Sequence, residues 1–420
     1  LCVSVTAVMA CLVAVLFGIG LYTDLPKRLG LWQYLASRDP MLVGFTPAFL
    51  DEQWNYRFEE LYKHDLQGQY AIVTGASSGI GFAISKTLAG RLGAHVTLAC
   101  RNPTKCLAKK QEILESHPKA QLDTMTMDTS SLESVSNFAD EYLSTNKPLD
   151  MLFLNAGTGY NPDGPNYCVP LTEKDGLELL FQINYLGHHL LYRKLEPLLL
   201  YGTDERIPAR VVQTSSAASY ASFTFRVATN LEQLNGCIEP AITAKGNLSY
   251  GQSKLAQILW VQHLTKRLEA IAISNGCEDE AVTADSTKSD GELELCNTAS
   301  THKLRHRRDA FVNAFHPGLV ATEIFDKIGG GGTPQFVIDT MKSLANKTGW
   351  TSLEGALTGL YLGVAVEDLQ AHSIRGQYFH PQALQIENHP LAPNNYMNDG
   401  HDLPERLWEF SDSLVKDYLQ

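Results

Sequence analysis

The pair with the clearest chemical use in this 420-residue sequence is Tyr250 and Lys254, four residues apart in Tyr250-Gly251-Gln252-Ser253-Lys254. On a helix the two share one face. A free phenol ionises near pH 10, so it serves as an acid–base group only where a nearby cation favours its phenolate. Lys254 can supply that charge. Upstream, an apolar run over residues 210–213 leads into Thr214-Ser215-Ser216. This puts the Ser216 hydroxyl at the carboxyl end of a strand, where it can hold a substrate carbonyl. Asn155-Ala156-Gly157 and Asn184, within Phe181-Gln182-Ile183-Asn184-Tyr185-Leu186-Gly187, fit the same rim.

A Tyr/Lys pair alone is common in unrelated chains, and a second motif changes its meaning. The run Thr74-Gly75-Ala76-Ser77-Ser78-Gly79-Ile80-Gly81 lies between an apolar strand pattern and a helical one. Glycines at such a junction let the backbone turn sharply and approach a pyrophosphate, while the following helix offers unpaired N–H groups to the anion. Gly75, Ser77, Ser78, Gly79, Ile80 and Gly81 are the expected phosphate cradle. Twenty residues after Gly81 stands Arg101, in Leu98-Ala99-Cys100-Arg101-Asn102, with Lys105 close by. A carboxylate there would suit the free ribose of NAD; an arginine suits the extra phosphate of NADP. NADP(H) is the expected cofactor.

The elements that must position these residues follow from hydrophobic patterning. Short apolar runs over residues 70–73, 95–100, 150–154, 210–214 and 310–314 alternate with longer amphipathic stretches. Near-continuous apolar strands between helices imply a parallel sheet covered on both faces. The expected fold is α/β, a Rossmann-type doubly wound sheet that binds ligands at the strands' carboxyl ends. Residues 1–23 carry no charge and are long enough to cross a bilayer as a helix, with Lys27 and Arg28 next. This predicts a single-pass anchor with the catalytic domain on the cytosolic side; a signal peptide or plastid leader is the alternative. Residues 24–68 read as a connector, 69–390 as the catalytic domain and 391–420 as an extension packing on it. Within the domain, residues 276–308 run from acids to bases and are expected to form a mobile surface insertion.

Composition narrows the partners. Hydrophobic residues at 44% can fill a large core, and a net charge of −12 argues against nucleic acid. The eight cysteines show no metal-type spacing, so no metal site and a reducing compartment are expected. The expected partners are an apolar small molecule and a membrane.

In their order along the chain, Gly75…Gly79-Ile80-Gly81, Asn155-Ala156-Gly157, Asn184, Ser216, Tyr250-x-x-x-Lys254 and His316-Pro317-Gly318 resemble the short-chain dehydrogenase/reductase family over roughly residues 69–390. By that resemblance Ser216 orients the substrate, Tyr250 transfers the proton, and Lys254 activates Tyr250 and binds the nicotinamide ribose. Asn184 supports a proton relay, Asn155 supports the sheet edge and cofactor, and Asp128 contacts adenine. Pro317, Gly318 and Val320 belong to a further cofactor-binding stretch, in which Thr322 meets the nicotinamide amide. The family is also compatible with a homo-oligomer. Leu98–Asn102 and Leu195-Glu196-Pro197-Leu198 look like keto-steroid reductases. His316–Glu323 and Leu407-Trp408-Glu409 look like membrane-bound retinol dehydrogenases. This implies carbonyl–alcohol interconversion on a retinoid-, steroid- or lipid-like substrate in the endoplasmic reticulum, or alternatively a plastid membrane. Two other readings remain open: a protochlorophyllide-reductase-like enzyme reducing a carbon–carbon double bond, where Cys168 or Cys237 could lie near the pigment, and a non-catalytic cofactor-binding scaffold.

Overall fold

A computed structural model of the protein describes residues 56–159, 169–201, 207–219, 227–236, 245–283, 308–318, 320, 350–386 and 403–419. The strands are β1 (Tyr70–Thr74), β2 (His95–Cys100), β3 (Gln121–Thr126), β4 (Met151–Leu154), β5 (Ala209–Thr214), β6 (Ala310–Phe315), β7 (Tyr378–His380) and β8 (Leu384–Ile386). They form one sheet in the order β3-β2-β1-β4-β5-β6-β7-β8. All neighbours pair in parallel except β7 with β8. The strand order reverses between β1 and β4, where Ala71 pairs with Met151 and Val73 with Phe153. At such a switch point a crevice opens beyond the carboxyl ends of the strands.

Successive residues along one strand face opposite sides, and here both sides are buried. Ile72, Leu152, Leu154, Val211 and Val312 enter one apolar cluster; Val73, Met151, Phe153, Val212 and Phe311 enter the other. That two-sided burial is why the strands read as continuous apolar runs. The first cluster is covered by α3 (Leu132–Ser144), α4 (Gly187–Leu200), α5 (Lys245–Thr283) and α7 (Leu403–Val415), the second by α1 (Gly79–Lys86), α2 (Pro103–Ser116) and α6 (Ser352–Val364). Tyr56, Leu61 and Leu66, from the stretch expected as a connector, are buried in the second cluster.

Three strands were not expected from the sequence. β3 is an edge strand whose Leu122 is buried while Gln121 and Thr126 are exposed, and β7 and β8 are only three residues each. None offers an apolar run. Of the segment expected as an insertion, 276–308, α5 covers the first part, as far as Thr283. At the segment's other end Arg308 is buried, its guanidinium paired with Asp150 at 2.5 Å and donating to Leu149 O at 3.1 Å. An uncompensated arginine could not be held there; the carboxylate and carbonyls are what make the burial tolerable. Residues 284–307 lie outside the described residues, as do residues 1–55, on which the anchor expectation falls. Among the described residues no helix is long and apolar enough to cross a membrane.

The last helix, α7, completes the first cluster through Leu403, Leu407, Trp408 and Val415. The Trp408 ring packs near two guanidinium groups, those of Arg193 at 5.5 Å and Arg267 at 5.2 Å, and meets His189 edge-on at 4.8 Å. Asp412 accepts from His189 Nε2 at 2.8 Å and pairs with Arg193. These neighbours hold its carboxyl below the usual range despite its burial, which acts the other way.

Candidate active site

The glycine-rich turn begins where β1 ends, at the fully buried Thr74. Gly75 has φ +65°, which L side chains rarely adopt, and a Cβ there would lie 2.9 Å from Ala156 Cα. A Cβ on Gly81 would lie 2.5 Å from both Asn155 Nδ2 and Gly75 O. Glycine is thus required twice, once by conformation and once by the approach of the next turn. Thr74 Oγ1 accepts the N–H groups of Asn155 and Ala156, both at 2.8 Å, while Asn155 Nδ2 donates to Thr74 O at 3.0 Å. These bonds join the Gly75–Gly81 turn to Asn155-Ala156-Gly157 across the switch point. Ser78, in extended conformation, precedes the first turn of α1, and its side chain makes no capping bond there.

Beyond β2, Arg101 is exposed, as the expectation of an anion contact requires. Asn102 caps α2 by accepting the Lys105 N–H at 3.0 Å. The reducing compartment expected from the cysteine pattern did not point to the disulfide found here. Cys100 and Cys106, with Cα atoms 5.9 Å apart, form a disulfide that brackets Arg101 and Lys105. The strand end and the first turn of α2 bring the two thiols together, a proximity that cysteine spacing alone does not reveal. Asp128, beyond β3, is partly buried, and its Oδ1 accepts both the N–H and the hydroxyl of Ser130. Gly318, at φ +79°, donates its N–H to His316 Nδ1 at 3.0 Å, and Val320 bridges to Trp350. Pro317 lies between them; Thr322 falls outside the described residues, as do Cys168 and Cys237.

Tyr250 and Lys254 occupy successive turns of α5, with Lys254 Nζ 5.5 Å from the Tyr250 ring centroid. Ser216, just past β5, favours the ionised form of the Tyr250 phenol, part of whose residue surface stays open. Burial pushes the Tyr250 phenol up to about 12, and Ser216 opposes that rise. Burial pulls the Lys254 ammonium down to about 7. Lys254 Nζ donates to Thr214 O at 3.1 Å and is 3% exposed. The neighbouring Ser215 hydroxyl donates to Lys254 O at 2.8 Å, locking the end of β5 onto α5.

Asn184 lies in a π-helical turn, Gln182–Leu186, just before α4. Its side chain accepts the Thr158 N–H at 2.8 Å and donates to Thr158 O at 3.1 Å and Ser253 Oγ at 2.9 Å. Ser253 Oγ in turn donates to Tyr250 O at 2.8 Å. Asn184 Oδ1 and Lys254 Nζ both border Gly157, at 3.2 and 3.5 Å from where its Cβ would stand. The fold thus gathers Asn184, Ser216, Tyr250 and Lys254 at one end of the sheet, beside the glycine turn. Thr74, Ser215, Ser253 and His188 were not singled out from the sequence. A hydroxyl ending β1 and a histidine one helical turn after Asn184 were the available signals.

A family model described as short chain dehydrogenase matches residues 69–228. A WW domain-containing oxidoreductase of Danio rerio is 36% identical over 368 residues, covering 86% of this chain and 71% of that protein. Its Gallus gallus namesake is 39% identical over 253 residues, 58% of this chain; the match spans only 56% of that relative. Retinol dehydrogenase 14 of Mus musculus is 26% identical over 364 residues, with 83% and 86% covered. In fold, the crystal structure of an uncharacterized protein from Mycobacterium Paratuberculosis is similar, with TM-score 0.50 and 22% identity over 84% of this chain and 95% of that one.

Proposed function

Because the chain belongs to the short-chain dehydrogenase/reductase family, we propose that it is an NADP(H)-dependent oxidoreductase interconverting a carbonyl and an alcohol on an apolar substrate. The observation that carries this reading is Lys254 Nζ 5.5 Å from the Tyr250 ring, with Ser216 favouring the phenol's ionised form. When bound, a nicotinamide dinucleotide supplies or takes up the hydride. The residues fit such a group: the turn has no room for Cβ atoms at Gly75 and Gly81, and among the described residues Thr214 O is the one acceptor met by the buried Lys254 Nζ. Gly75, Ser77, Ser78, Gly79, Ile80 and Gly81 would hold the pyrophosphate. Asp128 would face the adenine, and Asn155, Ala156, Gly157, Pro317, Gly318, Val320 and Thr322 the nicotinamide half. Arg101, exposed at the end of β2 where no acid stands, favours the 2′-phosphate of NADP.

Negative charge develops on the substrate oxygen as a carbonyl is reduced. Ser216 Oγ and Tyr250 Oη stabilise it by hydrogen bonding, and Tyr250 Oη gives its proton. In the alcohol-oxidising direction the same oxygen takes the proton back. A protonated Lys254 favours the phenolate that this exchange leaves behind. Asn184 keeps Thr158 and Ser253 in place around the pair. One relative is named for retinol, an apolar alcohol, which supports an apolar substrate here. An uncharged span at residues 1–23 would hold the enzyme on the membrane where such substrates dissolve.

The test is hydride transfer by the full chain with NADPH or NADH and a panel of retinoid, steroid and fatty aldehydes, ketones and alcohols, followed by nicotinamide absorbance. Turnover of at least one apolar carbonyl or alcohol, with NADP(H) preferred about tenfold or more, is the expected result. No transfer in either direction across the panel would overturn the reading.

A further inference from the structure

His188 lies one helical turn beyond Asn184, 1% exposed, on the inner side of α4. Both ring nitrogens are engaged: Nε2 with Thr74 Oγ1 at 3.0 Å and Nδ1 with Asn184 O at 3.1 Å. The partners decide which nitrogen carries the proton. Thr74 Oγ1 already accepts two backbone N–H groups, which fills its two lone pairs and leaves its hydroxyl proton to donate. That proton needs an acceptor, so His188 Nε2 must be bare. Nδ1 faces a carbonyl oxygen, which only accepts, and therefore must carry the hydrogen. Asn184 O also receives Gln257 Nε2–H at 2.6 Å. The charged group facing the ring is Lys254; burial, reinforced by that charge, pulls the imidazole down to about 3 and keeps it neutral.

We propose that His188 is a positioning residue whose single Nδ1–H tautomer couples the cofactor cradle at Thr74 to the bulged turn presenting Asn184, and through Ser253 to the helix carrying Tyr250 and Lys254. The hydrogen-bonded path runs from the Asn155 and Ala156 amides through Thr74, His188 and Asn184 to Ser253 and Tyr250 O. Every bond has one donor and one acceptor, so reversing the imidazole tautomer would set donor against donor at Thr74 and lone pair against lone pair at Asn184. Protonating the ring at Nε2 would displace the Thr74 hydroxyl proton and free one of the two amides. A merely space-filling histidine would need neither tautomer nor neutrality.

This inference rests on the proposed dehydrogenase reading for its catalytic consequence, but two of its readouts do not need turnover. The first is nitrogen NMR of the full chain labelled with 15N-histidine in detergent. His188 should show a protonated Nδ1 and a bare Nε2, unchanged between pH 5 and pH 8. The second is NADPH affinity by fluorescence titration of His188→Phe, which keeps a ring of similar size. Affinity should fall about tenfold, the equivalent of one ordinary buried hydrogen bond. Thr74→Val should fall similarly, and the double variant no further than the worse single one, because both changes break one shared path. Single-turnover hydride transfer in His188→Phe should drop by a larger factor than the affinity. An Nε2–H tautomer, a titration of His188 within that pH range, or additive losses in the double variant would each overturn the proposal. NADPH affinity and transfer within twofold of the parent in His188→Phe would overturn it as well. If tautomer and affinity behave as stated while the parent chain reduces and oxidises nothing, it is the dehydrogenase reading that fails.

Discussion

Replacing Lys254 with methionine should make the cofactor-free protein more stable at pH 6 while removing its turnover. Burial holds the Lys254 ammonium at about 7, against 10.5 for a free lysine. At about 1.4 kcal/mol per pH unit, that difference corresponds to about 5 kcal/mol by which the charged amine opposes folding. Sign follows from linkage. Below about pH 7 lysine is protonated in both states and the full penalty stands. As pH rises from about 7 toward 10.5 the unfolded chain binds a proton that the folded one does not, so stability grows and the penalty disappears. Methionine has similar length and no charge, but it gives up the bond to Thr214 O, which costs about 1–3 kcal/mol. The net gain should be about 2–4 kcal/mol at pH 6 and absent or reversed near pH 10. Urea denaturation of the parent and Lys254→Met at both pH values measures the difference directly, since other titrations cancel between the two proteins. A variant destabilised at pH 6 as much as at pH 10 would refute the argument, showing that the amine is solvated or paired in the folded state.

Tyr250→Phe should lose about 10²–10⁴ in single-turnover transfer, with cofactor affinity and unfolding midpoint near those of the parent. A loss of stability with normal transfer per folded molecule would instead make Tyr250 a core residue. Arg101→Ala should weaken NADPH by about one to two decades and leave NADH unchanged, as read by titration of both cofactors. Trp408→Ala removes a buried ring packed near Arg193 and Arg267 and should cost about 3–5 kcal/mol in chemical denaturation. Hydrogen exchange should then rise first in α7 and the facing turns of α4 and α5. Deleting residues 1–23 should move the chain from the membrane to the soluble fraction on centrifugation; a parent chain already wholly soluble would contradict the anchor.

The central strands, the glycine turn and the Tyr250/Lys254 pair were legible in the sequence because each is a local pattern. A strand buried on both faces must be apolar throughout, a turn at φ +65° with no room for Cβ demands glycine, and a four-residue spacing stacks two side chains on any helix. Ser216 was readable for the same reason, standing just past such a strand. The edge strand β3 was not, because its half-exposed Gln121–Thr126 lacks that signature. Arg308 looked like the end of a charged loop until the fold brought it to Asp150, 158 residues away. Cys100 and Cys106 are close in sequence, yet only the angle between β2 and α2 makes them partners. His188 is the sharpest case. Its type and its distance from Asn184 are visible in the chain, but its protonation is set by a Thr74 hydroxyl 114 residues away that has no other acceptor. Spacing along the chain determines which groups can share a helix face or a turn. Where a proton sits depends on which distant donors and acceptors the completed sheet and helices leave for one another.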